Sequence, residues 1–388
     1  MPNNYTAPGV YVEQEDPKAR PIAGVGTSTA GFIGEVTAGV AMPDQPGQFD
    51  AGGNPIPYPL AEANVPVLIT GWEQFKTRFG DFDAANQTLA HAIYGFFNNG
   101  GTRCWVLRLE TLDDSTDLKE ALKSLAAIDE IAIVAVPGAL SNTQQTDIID
   151  HCEGSLDRVA ILDGVPNPAE LTVAEITGGT RDSDFAALYF PWLQLSDPAS
   201  GNVIQQPPSG HLAGIYARVD GQEGVFKAPA NEVVRGVTAL SQRLSRADQA
   251  GLNPEGVNVI RIFNNTIKVW GARTLGGSRN DFKYVSTRRY FNFLRESIDE
   301  GTQFAVFEPN SPALWQRISR SVSDFLLNQW RDGALFGQTP EQAFFVKCDI
   351  ETNPAAVREL GQVVTEIGVA IVKPAEFVIF RIQQITGG

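Results

Sequence analysis

The sequence predicts an α/β fold with a mainly parallel sheet, followed by a smaller C-terminal α+β domain, with an extended strand arm at each end of the chain. Three observations predict this fold class. Uninterrupted apolar strand patterns alternate with helical patterns over the first half of the 388 residues, as in parallel sheets covered on both faces. A second set of helix and strand patterns occupies the C-terminal part. A short β-rich run beside prolines stands near each terminus.

The N-terminal arm and its linker are predicted at residues 1–21. The strand pattern at 8–13 contains Val10, Tyr11 and Val12, and the charged stretch 15–21 follows with two prolines. Because proline is excluded from helix interiors, this stretch predicts an extended linker. The arm is therefore a strand on a tether.

The central α/β domain is predicted at 22–275. Helices are predicted at 118–127, 143–152 and 211–219, and Thr70 and Asp83 are predicted to cap two earlier helices. A β-hairpin is predicted at Asn264-Asn265, because asparagine tolerates a positive φ. The strand patterns of this domain lie at 30–36, 65–69, 104–109, 131–136, 158–163, 185–192, 257–263 and 266–270.

The C-terminal α+β domain is predicted at 276–372. Helical patterns occupy 286–300 and 312–331, and the second of these has an apolar stripe at helical spacing. Strand patterns lie at 303–307, 343–350 and 362–372. Beyond Pro374, a final strand pattern at 376–382 predicts a C-terminal arm at 373–388, which contains Phe377, Val378, Ile379, Phe380 and Ile382.

Composition restricts the class of protein. The formal net charge of −15 argues against nucleic acid as a general partner, since phosphate binding needs clustered basic residues. The N-terminus has no secretory-signal pattern, and no apolar run approaches the roughly 18 residues that span a bilayer. Cys104, Cys152 and Cys348 lie far apart, which predicts reduced thiols. We therefore expect folding in the cytoplasm, without membrane insertion.

Signatures of catalysis are lacking. The sequence has no phosphate-binding glycine loop, no zinc-protease motif and no nucleophile elbow. His91, His151 and His211 are widely separated, and none has a neighbour at metal-ligand spacing. The expectation is a protein that is not an enzyme, with no catalytic residue, no metal site and no cofactor.

Eleven short blocks, spread over nearly the whole chain, carry a family resemblance. Together they are far more specific than any single motif. They are PGVYVE (8–13), YFPW (189–192), PPSG (207–210), IYAR (215–218), KAPAN (227–231), LNP (252–254), VWGARTL (269–275), GTQ (301–303), FEPN (307–310), FFVKCD (344–349) and KPAEFVIFRI (373–382). In these blocks the sequence resembles the contractile tail sheath family of phages, tailocins and extracellular contractile injection systems.

This resemblance implies a fold and a function. The fold is a subtilisin-like central domain with a C-terminal α+β domain. The function is that of a structural subunit that polymerises helically around an inner tube and contracts to drive the tube through a target envelope. The C-terminal blocks are most similar to sheaths of extracellular injection systems. The implied partners are further copies of the chain, the inner tube protein, baseplate and terminal cap proteins, and sister sheath proteins. The resemblance further implies a particle that is assembled in the bacterial cytoplasm and can be released from the cell.

The resemblance also assigns roles to residues. The two arms are implied to pair with neighbouring subunits, and physics supports this, because a lone strand on a tether cannot satisfy its own backbone groups. The flanking segments 20–26 and 373–376 are the predicted hinges. The helix at 312–331 is implied to contact the inner tube through a polar face that carries Arg317, Arg320, Asp324 and Arg331.

Three alternatives stay open at this point. A phage tail sheath is the alternative within the class. An α/β hydrolase-like enzyme is the alternative from another class, and a surface-binding adhesin is the third.

Overall fold

The computed structural model describes residues 21–113, 115–275 and 281–379. These residues form two compact units, one from 24–296 with 371–379 and the other from 21–23 with 297–370. The division lies inside a long helix, beyond the domain boundary predicted at 276. A mixed α/β architecture is confirmed, and its main sheet is largely parallel.

The larger unit contains thirteen strands and seven helices, together with the first part of an eighth helix. The strands are β1 (Ala30–Glu35), β2 (Asp44–Phe49), β3 (Pro55–Pro57), β4 (Val67–Ile69), β5 (Cys104–Leu109), β6 (Ile133–Ala135), β7 (Val159–Asp163), β8 (Ala186–Phe190), β9 (Leu193–Ser196), β10 (Val203–Gln206), β11 (Ala239–Leu240), β12 (Val257–Phe263) and β13 (Thr266–Val269). The helices are α1 (Trp72–Phe79), α2 (Gln87–Asn98), α3 (Ser115–Ala126), α4 (Asn142–Ser155), α5 (Val173–Thr177), α6 (Ser209–Gln222) and α7 (Arg246–Leu252), followed by a 3₁₀ turn at Asn253–Glu255.

Eight strands form the main sheet, in the order β13-β12-β8-β7-β6-β1-β5-β4. The six central strands are parallel, whereas β13 and β4 at the edges are antiparallel to their neighbours. The predicted hairpin joins β12 to β13 through Asn264 and Asn265, which have φ values of 47° and 61°. Smaller antiparallel sheets are formed by β10-β9-β11 and by β2-β3.

Helices cover both faces of the main sheet. Phe75, Leu89 and Leu212, from α1, α2 and α6, lie in the hydrophobic core on one face. Leu118 and Ile148, from α3 and α4, lie in the core on the other face. The uninterrupted apolar strands of the sequence therefore have the expected cause, burial from both sides.

The smaller unit is built around a long amphipathic helix. The helix α8 (Val285–Thr302) contributes residues to both units. The smaller unit then has a 3₁₀ turn at Gln303–Ala305, followed by α9 (Pro312–Arg331), α10 (Pro340–Ala343), β14 (Phe344–Lys347), α11 (Ala355–Glu359) and β15 (Glu366–Val369). The apolar side of α9 is buried through Leu314, Ile318, Val322, Phe325 and Leu326, as its spacing predicts.

Two predicted helix caps are wrong. The helix α1 begins after Gly71, because the Gln74 side chain reaches back and its Oε1 accepts hydrogen bonds from the Thr70 backbone N–H and hydroxyl. The helix α2 begins after Asn86, because the Asp83 carboxylate is used in the preceding turn, where it accepts a hydrogen bond from the Ala85 N–H at 2.8 Å.

The strand predicted at 303–307 is also wrong. The chain there forms the 3₁₀ turn, and Phe307 has a left-handed φ of 64°, which is incompatible with a strand. Of the strand predicted at 376–382, residues 376–379 form no strand within this chain. Residues 380–382 lie outside the described residues.

Candidate interaction surfaces

The smaller unit contains a sheet of only two strands among its described residues. β14 and β15 are antiparallel, with Phe344 opposite Val369 and Phe345 opposite Gly368. No third strand pairs with this sheet among the residues that the structure describes. Because a two-stranded sheet is marginal on its own and its outer edges carry unpaired backbone groups, further strands would stabilise it.

Exposed apolar side chains are concentrated in the same unit. Phe345 is 58% exposed, and its ring lies against Gly368, where a Cβ would be only 2.1 Å from the ring. Phe307 is fully exposed at its left-handed φ. Where exposed apolar side chains form a contiguous patch, they are typical of an interaction site. The other large apolar residues exposed in this unit are Val306, Phe336, Ile350, Leu360 and Val364.

The predicted C-terminal arm is only partly described. Phe377, Val378 and Ile379 are 69%, 69% and 80% exposed. Three consecutive apolar side chains of this size are therefore left without burial in the single chain. The other predicted arm residues, Phe380 and Ile382 in this arm and Val10, Tyr11 and Val12 in the N-terminal arm, lie outside the described residues.

Immediately before these exposed residues, the Glu376 carboxylate is held by several side chains of the larger unit. Arg273 binds it in a bidentate manner, with Nε 2.9 Å from Oε1 and Nη2 2.8 Å from Oε2. Asn253 Nδ2 donates to Oε1 at 2.6 Å, the Tyr284 hydroxyl donates to Oε2 at 2.9 Å, and Lys283 Nζ lies 3.6 Å from Oε2. This cluster of Asn253, Arg273, Lys283, Tyr284 and Glu376 is called the arm-root cluster below.

Electrostatics keep the Glu376 carboxyl group ionised. Burial by itself would raise its pKa, but the hydrogen bonds from Arg273, Asn253 and Tyr284 outweigh burial and lower the pKa to about 2. Burial and the nearby carboxylate raise the pKa of Tyr284 to about 12, so Tyr284 stays a hydrogen-bond donor. The ion pair between Glu376 and Arg273 is therefore present at neutral pH.

Sequence reasoning missed this cluster as a unit. Arg273 and Glu376 both lie in the sequence blocks that carry the family resemblance, but they are 103 positions apart. The available signal was a single acidic residue at the start of the apolar run 377–380. Its partner could not be deduced without the fold.

The four residues predicted to face the inner tube do not share one environment. Arg320, Asp324 and Arg331 are exposed on α9. Arg317 is half-buried instead, with its guanidinium 4.7 Å from the centre of the Phe304 ring and its Nη2 3.8 Å from Glu308 Oε2. Among the described residues, Arg320, Asp324 and Arg331 therefore have no ring contact or ion pair like that of Arg317.

Two of the three histidines, His91 and His211, are buried. His91 Nε2 lies 3.2 Å from Asp197 Oδ1, which is the arrangement of a histidine with its orienting carboxylate. However, His91 and His211 are only 3% and 2% exposed, so a substrate cannot reach them. Asp197 also accepts hydrogen bonds from Ser200. The cluster therefore has the properties of a buried polar contact.

The described residues contain no group of three or more side chains arranged to hold a metal ion. None of the helices in the described ranges has the length and apolar character needed to cross a bilayer. Cys104, Cys152 and Cys348 are free thiols and all are buried, and burial raises the pKa of the Cys104 thiol well above its usual value.

Comparison with known proteins decides the family. Residues 114–275 match the phage tail sheath protein central domain, and residues 278–385 match the phage tail sheath C-terminal domain. A chain from the anti-feeding prophage baseplate structure is 30% identical over 98% of this chain and 100% of its own length, with a TM-score of 0.77. This protein belongs to the contractile tail sheath family.

Other relatives of this sheath protein agree. A chain of the extracellular contractile injection system PVC, in the contracted sheath complex, is 27% identical with a TM-score of 0.78 and covers 98% of each chain. A protein described as a prophage major tail sheath protein of Pseudomonas aeruginosa is 24% identical over 97% of this chain and 95% of its own length. The protein is thus a contractile sheath subunit, and its family is a structural one and not an enzyme family.

Proposed function

We propose that this sheath subunit polymerises helically around an inner tube through its two terminal arms, and that contraction of the polymer drives the tube through a target envelope. One observation carries the proposal. The chain has both an unfinished two-stranded sheet, β14-β15, and apolar residues at 377–379 that are left exposed. An arm from one copy would add a strand to the β14-β15 sheet of another copy. The same pairing would bury the apolar side chains of the arm.

The energetics favour such a link. Burial of a side chain such as Val378 stabilises by about 1.5–3 kcal/mol. Each main-chain hydrogen bond that an added strand forms contributes about 0.5–1.5 kcal/mol. The cost of ordering the arm reduces the sum, but several residues and several hydrogen bonds still make a durable connection. Head-to-tail links that do not close into a ring generate an open helix, which is the assembly proposed here.

The inner tube is the proposed partner of α9. The exposed Arg320, Asp324 and Arg331 suit a weak, wet, charged interface that can be released during contraction. Arg317, which was predicted with them, instead supports the packing of Phe304 and Glu308. We therefore propose that Arg320, Asp324 and Arg331 form the contact with the tube.

An extracellular contractile injection system is the proposed context. The chains of the anti-feeding prophage and PVC structures are 30% and 27% identical over 98% of this chain. The tail sheath protein of Vibrio phage KVP40 is 22% identical over 89% of this chain, and this chain covers 53% of it. We propose assembly in the bacterial cytoplasm, with baseplate, terminal cap and sister sheath proteins as further partners. A subtilisin-like arrangement of the main sheet is part of the same proposal.

Deletion of the arms tests the proposal. Purified full-length protein should form striated tubes visible by negative-stain electron microscopy. Variants lacking residues 1–16 or 377–388 should keep the circular dichroism and thermal transition of the folded subunit and remain small in sedimentation velocity. Normal tubes from either folded variant would refute the assigned role of that arm.

A further inference from the structure

The arm-root cluster lies where a force on the C-terminal arm would reach the larger unit. Glu376 is the last residue before the exposed apolar residues 377–379, at the start of the predicted C-terminal arm. Four side chains, from three separate parts of the larger unit, contact its carboxylate. The predicted hinge at 373–376 therefore ends at a residue that is firmly held.

The cluster is connected by hydrogen bonds to two strands of the main sheet, β12 and β8. Arg273 is buried, its Nη1 donates to the Asn253 carbonyl oxygen at 3.1 Å, and its backbone N–H donates to Asn258 Oδ1 at 2.7 Å. Asn258 lies on β12, is fully buried, and donates through Nδ2 to the carbonyl oxygens of Leu188 on β8 and Arg273. A continuous chain of hydrogen bonds thus runs from Glu376 to two parallel strands.

The contact between Glu376 and Arg273 has the geometry and burial of a strong ion pair. The Glu376 and Arg273 side chains are 19% and 7% exposed, and a bidentate carboxylate–guanidinium pair fixes direction as well as distance. Removing one partner of such a shielded pair is far more disruptive than removing an exposed ion pair. By contrast, the exposed Glu255 in the neighbouring turn has no such hydrogen bond or ion pair with any residue that the structure describes.

We propose that Glu376 is a positioning residue that anchors the root of the C-terminal arm to its own subunit, so that the arm projects in one direction toward the neighbouring copy. This inference rests on the proposed function, because it assumes that the arm pairs with another subunit. Anchoring lowers the entropy that the arm loses on pairing. It also transmits force from the link to the main sheet through Arg273, and it places the flexible part of the C-terminal connection before residue 376.

Two measurements on the full-length chain test the proposal. The first is the mobility of a nitroxide on Val378→Cys, measured by electron paramagnetic resonance below the assembly concentration. The three native thiols are buried, so labelling is specific for the introduced cysteine. Glu376→Ala should narrow the spectral lines, because the nitroxide becomes more mobile. Glu376→Gln should narrow them less, and Glu255→Gln should leave them unchanged.

The second measurement is the critical concentration for tube formation, by sedimentation and negative-stain microscopy. Glu376→Ala should raise it at least tenfold and Glu376→Gln by a smaller factor, while Glu255→Gln matches the parent. If Glu376→Ala lowers the melting temperature, the critical concentration of Glu376→Gln and the mobility of the nitroxide still test the anchoring role of Glu376. Unchanged mobility or unchanged assembly in folded Glu376→Ala would overturn the anchor.

The deletion of 377–388 distinguishes the role of the C-terminal arm from the role of its anchor, Glu376. If that deletion blocks assembly while Glu376→Ala assembles like the parent, the arm is needed and the anchor is not. If the deletion variant itself assembles normally, the proposed function of the C-terminal arm fails, and the anchor fails with it.

Discussion

The Asp220 carboxylate and the Arg289 guanidinium form a doubly hydrogen-bonded ion pair, at 2.9 and 2.6 Å, with both side chains only 3% exposed. Thr27 completes the group, since its hydroxyl donates to Asp220 Oδ2 at 2.7 Å and its carbonyl oxygen accepts from Arg289 Nη2 at 2.9 Å. The guanidinium also lies over the Tyr216 ring. This group joins α6, α8 and the segment before β1 within the larger unit.

Loss of this ion pair should be costly. We expect Arg289→Ala to lower the free energy of unfolding by about 3–5 kcal/mol, because it leaves the Asp220 charge buried without its partner. Urea unfolding measures the change. The matched control is Lys227→Ala, which removes the exposed pair with Glu223 and should change stability by less than about 0.5 kcal/mol. Equal, small effects of both substitutions would contradict the structural role of the pair.

The close approach of α2 and α6 depends on Gly214. A Cβ at this position would lie 2.3 Å from the Phe96 carbonyl oxygen, so the helices would have to separate. We expect Gly214→Ala to lower the free energy of unfolding by about 1–3 kcal/mol.

Gly221, near the end of the same helix, provides the control for Gly214. No atom lies within 4 Å of its added Cβ, and Gly221→Ala should be neutral or stabilise by up to about 1 kcal/mol. Differential scanning calorimetry distinguishes the two variants. A stable Gly214→Ala protein would show that the helices do not pack this closely.

Acidification should destabilise the larger unit through His211. Burial lowers the pKa of His211 to about 4, and its Nδ1 has no hydrogen-bond partner among the described residues. Between pH 6.5 and 4 the unfolded chain binds a proton at this residue and the folded chain does not. Stability therefore falls as the pH falls, by at most about 1.4 kcal/mol per pH unit from this group.

Comparison with His211→Asn isolates that contribution. His91 and His151 also have lowered pKa values, and burial raises the pKa of Asp163 to about 7, which gives an opposite slope, but all three groups are present in both proteins. The variant should lose part of the pH dependence of urea unfolding between pH 6.5 and 4. Identical slopes would mean that His211 titrates normally in the folded protein.

Charge reversal on α9 should separate tube binding from folding. Arg320→Glu combined with Arg331→Glu should leave stability within about 0.5 kcal/mol of the parent, since both side chains are exposed. The variant should still form sheath tubes but should co-sediment less with purified inner tubes.

Arg317→Glu serves as the contrasting variant. It loses the contact with the Phe304 ring and places a second negative charge beside Glu308, so it should destabilise the smaller unit. If the double charge reversal binds inner tubes as well as the parent does, α9 is not the contact helix.

Much of the fold could be predicted because local pattern and burial agree. Strands such as β5 and β7 are uninterrupted apolar runs, and the structure buries them on both faces. The α9 stripe and the Asn264-Asn265 turn were predictable for the same reason, since local chemistry alone determines them.

The remainder depends on contacts that local patterns do not contain. The run 303–307 has β-forming residues, but its surroundings favour a 3₁₀ turn that leaves Phe307 exposed. The hairpin of β2 and β3 contains prolines and has almost no buried residues, so no periodicity predicted it. The pairing of Arg273 with Glu376 joins distant segments and required the fold.

The central proposal is that the C-terminal arm of one subunit pairs with the β14-β15 sheet of another. Hydrogen–deuterium exchange of the backbone amides, compared between dispersed subunits and assembled tubes, tests this proposal most directly. We expect amides at 377–382 and on the outer edges of β14 and β15 to exchange rapidly in the dispersed subunit and to become strongly protected in the tube. Protection of 377–382 already present in the dispersed subunit, or rapid exchange of these amides in intact tubes, would contradict it.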